Sequence, residues 1–289
     1  MTSSVDTSSH PGMTLMCITR EPAVAAMLER CGVDWVFVDL EIIGKQERQA
    51  GRNTVVSGHS LDDVRAVRQV LSRSKLLVRV NPWGEWSADE IEGVVDAGAD
   101  IIMLPFFKTR AEVQAFVDAV DGRASTCLLL ETAEAARDVE EILSVPGIDY
   151  VHIGLNDLHL AYGMKFMFEP LADGTVDRLC EAFARAGVTY GFGGMARIGT
   201  LKPPAEDIIA EHYRLGSSMV ILSRSFCDFS AVEDPTTLEG ELRDAVEEVR
   251  EWEVGLKTRS AEFFSGNRSS VVDDIAAVVL EIKRSAAGR

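Results

Sequence analysis

Two carboxylates in this sequence each come shortly after an apolar run. Glu131 directly follows residues 127–130, and Asp157 comes four residues after Tyr150–Ile153. A carboxylate in such a place must be paired with a cation, bound to a metal or left in water, because burying it alone costs too much free energy. Two carboxylates completed by water and substrate oxygens suit Mg²⁺ or Mn²⁺, which prefer oxygen ligands. An ion pair with a nearby cation such as Arg79 fits the spacing equally well.

Arg79 is the charged residue that interrupts the apolar run 76–80. A guanidinium offers two parallel N–H donors to a carboxylate, so at the mouth of a site it would bind a substrate acid. An ion pair with Asp39 or Glu41, at the end of the second apolar run, is the alternative. Arg79, Asp39 and Glu41 are therefore candidate catalytic residues, and Arg79 is also a candidate substrate ligand.

These side chains share one position, the carboxyl end of a short apolar run. Such runs alternate with amphipathic stretches, and runs that are apolar on both faces are typical of buried parallel strands. The pattern predicts the α/β class and a closed (β/α)8 TIM barrel over residues 13–235, with its chemistry at the carboxyl ends of the strands. The runs are Thr14–Ile18, Trp35–Asp39, 76–80, Ile101–Leu104, 127–130, Tyr150–Ile153, 189–192 and Met219–Leu222.

The two ends of the chain fall outside this alternation. Residues 1–12 are rich in Ser and Thr and predict a disordered tail. Residues 236–289 predict a C-terminal helical extension, with helices over about 238–257 and 271–283 and a break at 265–270. Because no strand follows it, the extension is predicted to be an oligomerisation element; packing on its own barrel is the alternative.

Composition restricts the function classes. The formal net charge is −17 and the isoelectric point about 4.7, so the surface repels nucleic acid and anionic membranes. No run approaches the roughly 20 apolar residues of a membrane span. The five cysteines are odd in number and show no CxxC spacing, which favours a reducing compartment and a cytoplasmic protein.

Five segments carry short motifs at the ends of predicted strands two to six: residues 34–41, 78–81, 98–105, 130–132 and 153–158. Together they resemble the HpcH/HpaI aldolase and citrate lyase family. The resemblance implies a (β/α)8 barrel, usually oligomeric, with a C-terminal helix often exchanged between subunits. It implies that Glu131 and Asp157 bind a divalent metal, Mg²⁺ or Mn²⁺ with Co²⁺ as a further option, and that Arg79 binds the carboxylate of pyruvate or another 2-oxoacid. The implied activity is that of a metal-dependent aldolase or carbon–carbon lyase acting through an enolate.

The sequence departs from the family after strand two. Pyruvate aldolases of this family usually carry Asp-Gly-Glu-His there, and the His relays a proton, whereas residues 39–42 read Asp-Leu-Glu-Ile. His59, at the end of the same long loop, and His159 are the candidate replacements, with plain hydrogen bonding as the alternative for either.

Several predicted loops carry positively charged side chains although the chain as a whole is acidic. These cations suggest a sugar-like or phosphorylated partner substrate. The loop 42–60 carries Lys45, Arg48 and Arg52, and Arg224 follows strand eight, where barrels often bind phosphate. The candidate substrate-binding residues beside Arg79 are Gly154, Asn156, Arg48 and Arg224.

Three other functions remain open from the sequence. One is a lyase of the citryl- or malyl-CoA type, and a second is another enolate reaction, either decarboxylation or C–O cleavage. The third is a non-catalytic barrel that binds an oxoacid. The expected partners are a small 2-oxoacid with an aldehyde or anionic substrate, and further copies of the chain in a homo-oligomer; neither nucleic acid nor membrane is expected.

Overall fold

The computed structural model describes residues 7–43, 58–226, 229 and 235–287. Within these ranges, eight strands follow one another in a closed barrel, which confirms the predicted fold class. Three strands differ from the predicted runs by one to three residues at an end. The strands are β1 Thr14–Ile18, β2 Trp35–Asp39, β3 Lys75–Arg79, β4 Ile101–Leu104, β5 Ser125–Leu130, β6 Tyr150–Ile153, β7 Thr189–Met195 and β8 Met219–Leu222.

Helices connect the strands and follow the last of them. No helix within the described residues is both long and apolar enough to cross a membrane. A short 3₁₀ helix covers Thr7–Ser9. The α-helices are α1 Pro22–Arg30, α2 Leu61–Val70, α3 Ser87–Asp96, α4 Arg110–Val120, α5 Ala133–Arg137, α6 Val139–Leu143, α7 Leu155–Ala161, α8 Glu169–Ala172, α9 Thr175–Ala186, α10 Ala205–Leu215, α11 Pro235–Leu256 and α12 Ala261–Ala287.

The chain forms two compact units, one of Leu15–Val151 and one of Met1–Thr14 with His152–Arg289. In the first unit, β2 to β5 pair in parallel with their neighbours, and their residues are mostly buried. The register of β2 and β3 places Asp39 beside Arg79. Because parallel strands end on the same side of the sheet, this register brings the two side chains to one edge.

The start of α2 fixes the end of the long loop. Ser60 Oγ accepts a hydrogen bond from Asp63 N at 3.3 Å, and Asp63 Oδ2 accepts one from Ser60 N at 2.7 Å. This is a capping box, and it satisfies N–H groups that the first helical turn leaves without partners. His59 is thereby placed directly before a rigid helix end.

In the second unit, β7 and β8 pair around a bulge between Gly191 and Gly194. Gly191 lies so close to the backbone carbonyl of Met219 that a Cβ would overlap it. Only glycine permits this approach of two strands.

The C-terminal extension differs from its prediction. The predicted break at 265–270 is wrong, since α12 runs through these residues without interruption and the helices separate at 257–260 instead. Asn267 is buried, and its Nδ2 donates to Asp207 O and to Glu211 Oε1, each at 3.0 Å. A polar residue typical of a break is therefore stabilised inside the helix by tertiary partners that the sequence pattern does not reveal.

Part of the predicted N-terminal tail is ordered. The His10 ring stacks on Tyr213 at 3.9 Å between centroids, and its Nε2 lies 2.9 Å from Ser217 O. Met13 N donates to Glu253 Oε1 at 2.6 Å. The structure thus holds residues 7–12 against their own unit, because one aromatic side chain finds both a stacking partner and a hydrogen bond there.

Candidate active site

Arg79 lies between two buried carboxylates at the end of β3. Its Nε and Nη2 donate to Asp39 Oδ1 and Oδ2, both at 2.8 Å, and Nη2 lies 3.4 Å from Glu41 Oε2. Both carboxylates are 2% exposed, and the Arg79 side chain is 13% exposed. This is the ion pair that the sequence left as an alternative. It orients the guanidinium and leaves Nη1 with no hydrogen bond to any described residue, so two N–H donors face away from the pair.

The guanidinium of Arg79 keeps its positive charge in these surroundings. Burial by itself lowers the pKa of the guanidinium, but Asp39, then Glu41 and Glu131, outweigh it and raise the pKa above its ordinary value. The ring of Phe37 lies under the guanidinium, 5.5 Å from its carbon. Arg79 is therefore a permanent, fixed cation, which is what the binding of an anionic group requires.

Glu131 is buried at the end of β5 and is 3% exposed. Its Oε1 accepts a hydrogen bond from Phe106 N at 3.1 Å, and Thr132 Oγ1 donates to Phe107 O at 2.7 Å. Phe106 has a φ of 53°, a left-handed conformation that costs a non-glycine residue roughly 1–3 kcal/mol. The carboxylate is thus fixed by a strained turn, and its charge contributes to the environment of Arg79.

The donor chemistry of Glu131 fits a magnesium-type ion. No three His, Cys, Asp or Glu side chains among the described residues come together to hold a metal. Such a trio is typical of zinc, whereas Mg²⁺ keeps several waters and takes only one or two carboxylates from the protein. A hard, buried carboxylate whose charge acts on Arg79 fits the second type.

His59 is attached to the end of β2. Its Nδ1 accepts a hydrogen bond from Asp39 N at 3.0 Å. Since Nδ1 is an acceptor there, the ring is neutral and carries its proton on Nε2. A histidine at the far end of the loop is in this way brought back to the strand that ends in Asp39.

A family model described as HpcH/HpaI aldolase/citrate lyase matches residues 14–172, more than half of the chain. The chain belongs to this family. Its fold is also that of a family member from Burkholderia cenocepacia J2315, with a TM-score of 0.59 and 18% identity over 84% of this chain and 97% of the other.

Two relatives of known activity resemble parts of the chain. A hydroxypyruvate/pyruvate aldolase of Sagittula stellata is 30% identical over 169 residues, which cover 48% of this chain and 61% of the aldolase. A (3S)-malyl-CoA thioesterase of Cereibacter sphaeroides is 31% identical over 111 residues, which cover 38% of this chain and 39% of that protein. The matches thus span less than two thirds of either relative.

The two histidines proposed to replace the family's missing residue have different surroundings. His159 is buried on α7, and its Nδ1 lies 3.1 Å from Leu155 O, one turn back in the same helix. That contact is the plain hydrogen bonding considered for it. His59, in contrast, contacts the backbone of Asp39, a member of the Arg79 cluster.

The other predicted residues of the family site lie in the second unit or outside the described residues. Asp157 lies in the first turn of α7 and is half-buried, as is Gly154 at the start of that helix. Asn156 and Arg224 are exposed. Arg48, with Lys45 and Arg52, lies outside the described residues.

Three residues near the cluster were missed from the sequence. Arg20 is the second residue after β1, and its Nη1 donates to Gly58 O at 3.1 Å, next to His59. Asn81 donates to Glu90 and accepts a hydrogen bond from the chain after β2. The signal for Arg20 was the same as for Arg79, a cation at the end of an apolar run, but no sequence pattern pairs Asn81 with Glu90.

Proposed function

We propose that this protein is a divalent-metal-dependent aldolase, or carbon–carbon lyase, that acts through the enolate of a 2-oxoacid of the pyruvate type. The observation that carries the proposal is Arg79, held in place by Asp39 and Glu41 with its Nη1 directed away from them. The resemblance to a hydroxypyruvate/pyruvate aldolase supports the same substrate class.

Arg79 binds the carboxylate of the oxoacid through Nη1 in this proposal. Asp39 and Glu41 fix the direction of the guanidinium, so less conformational entropy is lost when the acid binds. Glu131 and Asp157 are the ligands proposed for the metal, with Mg²⁺ or Mn²⁺ as the ion. When bound, the ion supplies Lewis-acid polarisation of the oxoacid.

His59 acts as a hydrogen-bond donor. With Nδ1 occupied by Asp39 N, the neutral ring presents the proton on Nε2, and it cannot accept a proton at that atom without changing tautomer. A neutral imidazole in this state stabilises an oxygen that gains negative charge, as the aldehyde oxygen does when the new carbon–carbon bond forms.

The test is turnover of pyruvate and hydroxypyruvate with a series of aldehydes in the presence of Mg²⁺, Mn²⁺ or Co²⁺. We expect aldol products that disappear on chelation and in Glu131→Gln, which keeps the size of the side chain and loses its charge. Glu134→Gln, a partly exposed site three residues on, is the matched control and should retain activity. Turnover that survives both chelation and Glu131→Gln would contradict the proposal.

The partner substrate is a separate question within this proposal. Sugar-like or phosphorylated aldehydes are expected to react better than small ones if loop cations such as Arg48 and Arg224 contact them. A clear preference for small, unphosphorylated aldehydes in the same series would remove that part and leave the oxoacid chemistry intact.

A second candidate is a lyase or thioesterase of the malyl-CoA type. The 31% identity to a (3S)-malyl-CoA thioesterase over 111 residues favours it. Turnover of malyl-CoA at a rate well above that of free oxoacids would support this candidate. Decarboxylation would release CO2 and a product one carbon shorter, C–O cleavage would leave the carbon skeleton intact, and a non-catalytic barrel would bind the oxoacid without any turnover.

A further inference from the structure

Asn81 connects three elements beside the candidate site. It is the second residue after β3 and is 8% exposed. Its Oδ1 accepts hydrogen bonds from both Ile42 N and Ile43 N, each at 2.9 Å, at the beginning of the loop after β2. Its Nδ2 donates to Leu40 O at 3.4 Å. One side chain therefore fixes the backbone on both sides of Glu41.

Glu90 on α3 holds Asn81 in that orientation. Its Oε1 accepts from Asn81 Nδ2 at 2.6 Å, and its Oε2 accepts from Asn81 N at 3.0 Å. Both oxygens of one carboxylate are thus used on one residue, and these contacts decide which way the amide of Asn81 points. Burial raises the pKa of Glu90, while both hydrogen bonds from Asn81 favour its ionised form.

The position of Glu41 depends on these contacts. Glu41 lies between two residues whose backbone groups Asn81 binds, and its carboxylate lies 3.4 Å from Arg79 Nη2. Asp39 holds Arg79 by two hydrogen bonds and also accepts one from Glu41 N at 3.2 Å. The contacts of Asn81 add support to the backbone on both sides of Glu41, the second carboxylate at the guanidinium.

We propose that Glu90 and Asn81 form a positioning pair that fixes residues 40–43 and, through Glu41, the orientation of Arg79 toward the oxoacid. Neither residue touches the substrate; the pair acts through the backbone that it holds. Its effect on oxoacid binding rests on the proposed function, whereas its effect on the backbone does not.

The test is a double-mutant cycle in which each single change breaks the pair and the double change restores it. In Glu90→Gln, one N–H of the new amide meets an N–H donor of Asn81. In Asn81→Asp, two carboxylates face each other. In the double variant Asn81→Asp/Glu90→Gln, the new amide donates to the new carboxylate and still accepts from the backbone N–H, so only the 3.4 Å contact to Leu40 O is lost.

Amide hydrogen exchange at residues 42 and 43 measures directly whether their N–H groups are bonded to Asn81. We expect protection of both amides in the wild-type protein, a loss of about tenfold or more in each single variant, and recovery in the double variant. Asp89→Asn, an exposed change on the same helix, should leave exchange unchanged. Equal protection in all four proteins of the cycle would overturn the inference, whatever the enzyme does.

Steady-state kinetics measure how the pair affects the binding of the oxoacid by Arg79. Each single variant should raise the KM for the oxoacid about tenfold and leave kcat within about threefold, because binding is impaired and the reacting groups are kept. The double variant should recover most of this loss, which a merely destabilised fold would not do. A double variant no better than the sum of its singles would overturn the positioning role, and absence of any aldol turnover in the wild type would count against the proposed function alone.

Discussion

At the scale of single residues, the site depends on charges that hold one another in place. Arg79 is bound by a carboxylate of β2 through two parallel hydrogen bonds and lies close to a second carboxylate on the chain that follows. A lysine has the same charge but lacks the planar guanidinium. Its single ammonium group cannot donate two parallel hydrogen bonds to Asp39 and also present N–H donors to a substrate.

Arg79→Lys and Arg79→Met separate two roles of Arg79. One is the proposed binding of the oxoacid, and the other is the neutralisation of the buried Asp39 and Glu41. We expect Arg79→Lys to fold and to raise the KM for the oxoacid at least about tenfold, since orientation is lost and charge is kept. Arg79→Met leaves Asp39 and Glu41 buried without their cation, which lowers the free energy of unfolding by about 3–5 kcal/mol. Urea unfolding and steady-state kinetics measure the two effects; a lysine variant with unchanged KM would show that Arg79 is structural only.

The role of His59 is tested by His59→Asn. Asparagine can accept the hydrogen bond from Asp39 N, as Nδ1 does, but places no donor at the position of Nε2. We expect kcat to fall about 10²–10³-fold with little change in KM, as when one donor to a developing oxyanion is removed. His159→Asn is the matched control and should keep kcat within a few-fold, so equal losses in both variants would argue against a special role for His59.

At the scale of elements, β6 and α10 carry histidines that are buried in the second unit. His152 on β6 has its Nε2 3.0 Å from Gly193 O, while its Nδ1 and the Nε2 of His212 have no hydrogen-bond partner among the described residues. Burial lowers the pKa of His152 to about 4, and the hydrogen bond to Gly193 opposes this only in part. The folded protein therefore keeps these rings neutral.

This arrangement makes stability depend on pH. An unfolded histidine titrates near pH 6.5 and His152 in the folded protein near pH 4, so the unfolded state binds more protons in between, and stability is lost as the pH falls through this window. Above this window, the lowered pKa of His152 contributes about 3 kcal/mol to the free energy of unfolding. His152→Gln keeps a donor for Gly193 O and cannot titrate, so its urea midpoint should fall less steeply between pH 6.5 and 4. Identical pH dependence in both proteins would refute the assignment.

Helix α12 is held to its unit by polar contacts as well as by apolar burial. Asn267 donates to Glu211, which is fully buried and also binds Arg214. We expect Asn267→Leu to lower the free energy of unfolding by about 1–3 kcal/mol, because Glu211 loses a donor in a buried place. Ser270→Ala on the exposed side of the same helix is the control in urea unfolding, and equal stability of both variants would mean that the contact contributes nothing.

At the scale of the whole molecule, the net charge of −17 attracts any divalent cation weakly and repels anions. A specific metal site must therefore be distinguished from the general ion atmosphere. It also follows that an anionic substrate needs a local cation, which is the setting in which Arg79 is found.

Thermal unfolding at constant ionic strength makes that distinction. An ion that binds only the folded protein stabilises it by about 2.7 kcal/mol at a concentration of 100 Kd, which raises Tm by several degrees for a chain of this size. We expect this rise with Mn²⁺ in the wild type and in Glu134→Gln, and its loss in Glu131→Gln and Asp157→Asn. A rise of the same size in all four proteins would indicate the ion atmosphere and no site at these carboxylates.

Some of this structure could be predicted from the sequence because it depends on local chemistry. Apolar runs that alternate with amphipathic stretches predict parallel strands with helices between them, since such strands must be covered on both faces. The capping box at Ser60 and Asp63 is local in the same way, since it needs only four consecutive residues. The position of Glu131 after a buried strand likewise follows from the sequence alone.

What the sequence left open was the choice of partner, and only the tertiary structure decided it. A hydrogen bond depends on distance and direction between residues far apart in the chain, as for Asp39 with Arg79 or Asn81 with Glu90. The same reason explains why α12 passes through Asn267, which finds Glu211, and why His59 reaches Asp39 whereas His159 bonds within its own helix. Residue types determined which chemistry was available, and the packing of strands and helices determined which groups meet to perform it.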